Sequence, residues 1–489
     1  MRRPQRFPRN TTLIWTEQGR RRFHLWTLKT DGVHKLEYLR NDFTLQECLG
    51  RSFSCGCGKI HTAELRAAEV SSGALLTLSG YMERFGWRYP FVICDSITYE
   101  IAGKRVVEIL EQAGYPVKCH ILTHTAFDEA TLGELAIHID RKCDLVVGVG
   151  TGSINDMCRY FSFKLDRPYC IVATAAPMDG FASSVSALTV NNLKTTYEVR
   201  MPALVIGDVD ILKAVPYRMI AAGLGDLIGK FTCLCDWKLA RLINDEYYCE
   251  TTVELVENCI RKVLKNAGAA KDRDPEVIGD IMEGLLLTGV AMGLIGNSRP
   301  ASGCEHHISH YWEMLFEQQG RRPAPHGAQV GVGTVLILKL TELLRQETID
   351  FSKARAAAIA YDPEGWKEEI RAAYGSAAGG VIEMEARARK NETAGRLLRI
   401  DAMERNWEAI TALLDQLPTS RQVIGILKSL DAPWLPQDIG VDAGLLRDTL
   451  KYCKEVRPRY TILQMIWDLG LLDELTEKTA AFFTQGQIH

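Results

Sequence analysis

Neither sign of charge is in excess in this 489-residue sequence: 58 Lys and Arg face 61 Asp and Glu, a formal net charge of −3. A chain that binds nucleic acid through bulk electrostatics is strongly basic, so that class is excluded. Long apolar runs are missing as well. The longest stretch worth testing, Gly284–Gly296, is shorter than the ~18–20 residues a bilayer crossing needs. The start, MRRPQRFPRNTT, is basic, but no apolar signal core follows it. The expectation is a cytoplasmic protein without a membrane span. Repeats, low-complexity tracts and Pro/Gly-rich linkers are also absent. With 46% hydrophobic and 24% charged residues, the composition excludes disordered, collagen-like and disulfide-miniprotein classes.

Cysteine is not scarce. Most of the 14 sit inside apolar runs, among them Cys94, Cys143, Cys170 and Cys259, where a reduced thiol behaves as a small hydrophobe. Cys55-Gly-Cys57-Gly-Lys-Ile-His61 stands apart. Two cysteines and a histidine suit zinc, yet C-x-C is tighter than the usual structural spacing and no fourth ligand is evident. It reads as a turn leading into the first domain.

Length alone allows about three domain-sized units, or two large ones. Residues 1–46 read as a basic N-terminal extension, with Arg20, Arg21 and Arg22 in succession. Short apolar runs then alternate with helical stretches: Phe91–Asp95, a helix over 98–113, residues 117–124, a helix over 129–141, Asp144–Gly150, a helix over 154–163, residues 169–175 and Ala203–Asp208. This alternation indicates βαβ units and a parallel sheet. After about Val215 the strand signal stops, and long amphipathic stretches over 249–265, 275–295, 331–345 and 406–417 predict helices. The fold expected is an α/β dinucleotide-binding domain over 47–214, then an all-α domain over 215–489.

Two motifs carry chemistry. Gly148-Val149-Gly150-Thr151-Gly152 ends a strand and opens a helix, as a pyrophosphate cradle does. The order is unusual, because the candidate ribose acid, Asp95, ends an earlier strand rather than following the glycines. The second motif concentrates histidine, of which the chain has only 11. Three fall in Glu305-His306-His307-Ile-Ser-His310, and His326 follows in Pro-His-Gly. With the glycine-flanked Asp226, two histidines give three ligands and an open position, the pattern of a catalytic metal site. His306 and His310 share a helix face; the 307/310 pair is also geometrically possible, and spacing does not choose.

These motifs, with Thr174-Ala-Ala-Pro177-Met-Asp179-Gly-Phe-Ala-Ser183 and Arg299-Pro-Ala-Ser-Gly-Cys, resemble the sn-glycerol-1-phosphate dehydrogenase family, bacterial type. That family belongs to the dehydroquinate-synthase-like, metal-dependent alcohol dehydrogenase superfamily. The resemblance implies reversible reduction of dihydroxyacetone phosphate to sn-glycerol 1-phosphate with NAD or NADP and one divalent metal, nickel or zinc, with iron possible. It places Asp226, His306 and His326 as metal ligands and, with Asp179, as catalytic residues. Asp179, His310 and Arg299 fall at the substrate; Asp95, Gly148, Val149, Gly150, Thr151, Gly152, Thr174, Pro177 and Ser183 fall at the cofactor. Lys230 is a further candidate for the substrate phosphate. A homodimer is implied as well.

The sequence departs from the pattern in that Pro177 replaces a serine common among relatives, Arg159 replaces a lysine found in some, the segment between His310 and His326 is longer than in archaeal relatives, and the N-terminal extension is extra. The alternatives are a glycerol or polyol dehydrogenase of the same superfamily and a non-catalytic nucleotide-binding relative. A cyclase is disfavoured, because Asp226 stands where that branch uses glutamate.

Overall fold

A computed structural model describes residues 45–124, 127–190 and 193–484. Most of the expected extension, and the arginine cluster at 20–22, lie outside them. Among the described residues a short helical turn, Leu45–Cys48, precedes an antiparallel hairpin, β1 (Ser52–Ser54) and β2 (Ile60–Thr62). Next come β3 (Ala67–Ser71), helix α1 (Leu78–Phe85) and β4 (Pro90–Asp95). Helix α2 (Lys104–Gln112), β5 (Lys118–Leu122), α3 (Glu129–His138), β6 (Leu145–Gly150) and α4 (Gly152–Lys164) follow. The unit closes with β7 (Tyr169–Ala173), an antiparallel hairpin of β8 (Val185–Val190) and β9 (Leu193–Glu198), and β10 (Leu204–Asp208).

Six of these strands form one parallel sheet in the order β3-β10-β7-β6-β4-β5. Its inner strands are apolar on both faces because both faces are covered. Phe91 and Ile93 enter one core, while Val92 and Cys94 enter the other. From β4 the chain moves outward to β5; from β6 it moves the other way to β7 and β10. The neighbours β4 and β6 therefore flank the topological switch point, where open α/β sheets bind ligands beyond the strands' carboxyl ends.

Beyond β10 the described chain is helical. The site uses α5 (Tyr217–Ile228), α6 (Lys230–Asn244), α7 (Glu250–Lys265), α8 (Pro275–Ile295), α9 (Cys304–Gln318) and α10 (His326–Leu344). Helices α8 and α10 are long and apolar enough to cross a membrane, but 78% and 83% of their most apolar windows are buried inside the fold.

Several elements differ from the sequence reading. The stretch expected as one helix over 98–113 starts at Ser96, where the Asp95 carboxylate accepts from the Ile97 and Thr98 amides, and passes through a π-helical turn at Tyr99–Gly103 before α2. The β8–β9 hairpin and the edge strand β3 were not anticipated. Their short, partly polar runs carry no strong alternation.

Candidate metal and nucleotide site

Asp226, in the last turn of α5, is fully buried. His306 lies in the first turn of α9, and His326 opens α10. One ligand atom from each of the three lies within 4.8 Å of the other two. Glycine makes this convergence possible. A Cβ on Gly327 would stand 2.0 Å from the Ala222 carbonyl oxygen and 2.7 Å from that of Pro177. One on Gly225 would stand 2.3 Å from the Gly327 oxygen, and one on Gly223 2.2 Å from the Ala176 oxygen. Helices α5 and α10 and the loop after β7 thus meet backbone to backbone.

Each histidine is oriented by a carboxylate on its other nitrogen. His306 Nδ1 lies 2.7 Å from Glu305 Oε1, and His326 Nδ1 lies 2.8 Å from Glu313 Oε1. That leaves Nε2 of His306, 3.5 Å from Asp226 Oδ1, facing the cluster. Glu305 is itself fixed by the Thr232 hydroxyl at 2.6 Å and the Gly303 amide at 2.7 Å. Ligands backed by oriented partners, with one position left open, fit a divalent ion.

Charge in the cluster is tightly paired. Lys230 Nζ, also fully buried, donates to Asp226 Oδ1 at 2.9 Å, Asp179 Oδ2 at 2.7 Å and the Ala301 carbonyl at 2.9 Å. Burial works against its charge, but Asp179 and Asp226 outweigh that and hold its pKa above the usual range. Burial likewise raises Asp226, yet Lys230 and His306 hold its carboxyl far below the ordinary carboxylate value. Asp179 also donates its amide to Asp226 Oδ2 at 2.8 Å. Lys230 therefore stands in the ion-pair network and not on an open phosphate-binding surface.

His310 sits at the rim, its ring centroid 6.2 Å from that of His306 and 5.4 Å from that of His326. Burial pulls its pKa down to about 4 against the pull of Glu313, with Arg457 and His326 lowering it further. His307 points into the core with neither ring nitrogen hydrogen-bonded, so the 307/310 pair is not the one assembled. Arg299 is committed elsewhere. Its Nε donates to Glu246 Oε1 at 2.6 Å, Nη1 to the Tyr460 carbonyl at 2.9 Å, and Nη2 pairs with Glu246 Oε2. Nothing in this geometry supports the substrate contact expected for it.

Sequence reasoning missed Glu313, although its place three residues after His310 puts it on the histidine face of the same helix. It also missed Arg457 and Arg459. Burial lowers both guanidinium pKa values, that of Arg459 to about 9, and neither forms an ion pair among the described residues.

The residues expected at the nucleotide lie around the switch point. Asp95 ends β4, and Gly148, Val149 and Gly150 end β6 beside it, with Ile93 paired to Gly148. The reversed order of acid and glycines is thus spatially consistent. Thr151 is the N-cap of α4, and its buried hydroxyl has no partner, as a group reserved for a ligand would be. Thr174 donates its amide to the Gly150 carbonyl at 3.0 Å, tying the loop after β7 to the glycine turn. Pro177 backs onto Gly327, and the Ser183 hydroxyl accepts from the Val185 amide at 3.1 Å. Arg159 does not face this crevice. Its guanidinium donates to Asp156, Gly180, Phe181 and Val185, so it braces the loop from beneath.

Residues 69–216 match the family model described as iron-containing alcohol dehydrogenase. Among solved structures, glycerol dehydrogenase from Schizosaccharomyces pombe aligns with a TM-score of 0.54 at 14% identity, covering 84% of this chain and 90% of that one. The fold is therefore that of the iron-containing alcohol dehydrogenases, and NAD(P) with a metal is the chemistry of the class.

Sequence relatives narrow the class. Glycerol-1-phosphate dehydrogenase (NAD(P)+) of Bacillus subtilis is 33% identical over 307 residues, 61% of this chain and 78% of the relative. The Methanosarcina mazei enzyme of the same name is 35% identical over 250 residues, 51% of this chain and 68% of the relative. That of Halalkalibacterium halodurans is 28% identical over 415 residues, 84% and 94%. This chain belongs to the glycerol-1-phosphate dehydrogenase family.

Proposed function

We propose that the protein reversibly reduces dihydroxyacetone phosphate to sn-glycerol 1-phosphate with NAD(P)H. In this reading 47–214 hold the nucleotide and 215–489 hold the metal and substrate. The observation that carries it is the Asp226–His306–His326 cluster, with both histidines backed by carboxylates, meeting the loop that leaves β7 beside the glycine turn. Nickel, zinc and ferrous iron all accept this donor set, and nickel or zinc is the reading carried forward. Cytoplasmic location and a homodimer complete the proposal.

A divalent ion held there would polarise the ketone oxygen, and the nicotinamide would supply the hydride. The chain's own residues do the rest. Asp226 and the two histidines fix where the carbonyl can lie. Asp179, held by Lys230 at 2.7 Å, presents a carboxylate where the C1 hydroxyl would approach, and so helps choose the face that is reduced. Gly148–Gly152 and the α4 N-terminus receive the pyrophosphate, and Asp95 receives the adenosine ribose. Arg457 and Arg459 supply the charged donors for the phosphate end, and His310, its Nδ1 turned to Glu313, lines it. Their half-buried positions beside the cluster favour a phosphorylated substrate over glycerol or a free polyol.

Comparing NADH oxidation with dihydroxyacetone phosphate and with dihydroxyacetone tests this reading. The phosphate ester is expected to be preferred by at least about a hundredfold in kcat/KM, the worth of two charge-assisted hydrogen bonds. Equal rates would move the assignment to a polyol dehydrogenase.

A further inference from the structure

The β1–β2 hairpin has too little core to hold its place. A two-stranded hairpin is marginally stable alone. Here Ser52, Ser54, Ile60 and Thr62 are exposed, Phe53 is half-buried, and the only buried strand residue is a histidine, His61. What surrounds His61 is sulfur. Cys57 Sγ lies 3.3 Å from its Nε2, and Cys249 Sγ lies 3.4 Å from the same atom. Cys55 Sγ in turn lies 3.6 Å from Cys249 Sγ. Cys249, at the N-cap of α7, is the fourth ligand that the sequence around Cys55 did not reveal. All four ligand atoms lie within 4.8 Å of one another.

We propose that Cys55, Cys57, His61 and Cys249 form a structural Zn2+ site that staples the hairpin to the helical half of the molecule.

Three features support it. The first is geometry. Tetrahedral zinc, with bonds of about 2.3 Å to sulfur and about 2.0 Å to nitrogen, requires S···S edges of about 3.8 Å and S···N edges of about 3.5 Å. The distances of 3.6, 3.3 and 3.4 Å lie close to these. The second is orientation. His61 Nδ1 lies 2.6 Å from the Leu294 carbonyl oxygen, which only accepts, so Nδ1 carries the proton and Nε2 turns its lone pair to the sulfurs. A backbone carbonyl on the far nitrogen is the usual support of a metal-binding histidine.

The third is valence. A single lone pair on Nε2 accepts one hydrogen bond, yet the sulfurs of Cys57 and Cys249 both converge on it, as ligands that share one ion do. Four ligands and no open position make the site structural rather than catalytic. Gly58, at φ +86°, permits the turn that brings Cys57 back towards His61. The Thr252 hydroxyl at 3.3 Å from Cys249 Sγ and the Tyr247 hydroxyl at 3.1 Å from Cys57 Sγ close the outer shell.

Binding forms four coordinate bonds and expels the thiol protons; no electron moves. The inference does not depend on the proposed reaction, because the Asp226 cluster contains no sulfur. That difference supplies the test. Full-length protein purified under reducing conditions is reconstituted with Co2+, and thiolate-to-cobalt charge-transfer absorption is recorded for wild type and for Cys57→Ser. In parallel, zinc is counted in the Asp226→Asn/His306→Gln double variant with and without Cys57→Ser. The expected results are charge-transfer bands in wild type that Cys57→Ser abolishes, and about one zinc per chain that Cys57→Ser removes. A wild type without thiolate–cobalt bands overturns the proposal even if Cys57→Ser fails to fold. Zinc unchanged by Cys57→Ser, or a Cys55–Cys249 disulfide found by mass in the purified protein, overturns it too.

Discussion

Glu313 Oε1 lies 2.8 Å from His326 Nδ1, and the other oxygen of the same carboxylate lies 3.2 Å from His310 Nδ1. One side chain therefore orients a metal-ligand candidate and a substrate-contact candidate together. Removing it should free both rings. Glu313→Ala is expected to weaken divalent-metal binding by about tenfold to a hundredfold, as the loss of such support does elsewhere. Equilibrium dialysis of the stripped variant against zinc and nickel measures this.

In the metal-free protein, burial lowers the pKa of His306, but Asp226 and Glu305 more than compensate and push it from 6.5 up to about 9. A folded-state pKa above the unfolded one stabilises the protein in full below about 6.5, and this contribution is lost as pH rises through about 9. Metal takes the neutral imidazole. Affinity should therefore rise with pH across that window, by up to about tenfold per unit for one displaced proton. Calorimetric titrations in buffers of different ionisation enthalpy count that proton directly.

Gly327→Ala places a methyl group against the Ala222 and Pro177 carbonyl oxygens, atoms that cannot swing aside. Overpacking costs about 1–3 kcal/mol even where side chains can adjust, so at least that loss is expected, with metal content falling alongside. A melting curve and a metal assay on the same sample report both.

Asp95 both caps the helical turn at Ser96 and faces the switch point. Asp95→Asn keeps the cap acceptor while removing the charge that repels a 2′-phosphate. The NADPH-to-NADH ratio of kcat/KM should rise about tenfold, a change of roughly 1.4 kcal/mol, without loss of thermal stability.

Arg457 forms no ion pair among the described residues and lies near enough to His310 to lower its pKa. Arg457→Ala should raise KM for the phosphate ester by about tenfold to a hundredfold, in the range of a charge-assisted hydrogen bond. Any residual rate with unphosphorylated dihydroxyacetone should stay unchanged.

Much of this was legible in the sequence because local rules carried it. Helix α8 reads directly: Asp274 caps it, Pro275 opens it and Gly296 ends it at φ +77°. The strands β4, β6, β7 and β10 are apolar on both faces, so they stand out as continuous runs. Residue type singled out Asp226 and the histidine cluster, and the family resemblance picked His306 and His326 from it, but only the fold brings the three within 4.8 Å. The rest depends on distance along the chain. Cys249 lies 188 residues from His61, and no spacing rule links them. The motif of Arg299 did not reveal its partner either, because Glu246 lies 53 residues away.

The central claim is that Asp226, His306 and His326 hold the divalent ion on which reduction of dihydroxyacetone phosphate depends. The direct measurement is NADH oxidation with dihydroxyacetone phosphate by wild type and Asp226→Ala, each stripped and then refilled with nickel, zinc or ferrous iron, with metal counted in every sample. The account expects stripped wild type to be inactive and to recover with one of these ions, forming sn-glycerol 1-phosphate, while Asp226→Ala stays inactive after refilling. Full turnover by stripped wild type, or by Asp226→Ala without metal at this cluster, would contradict it.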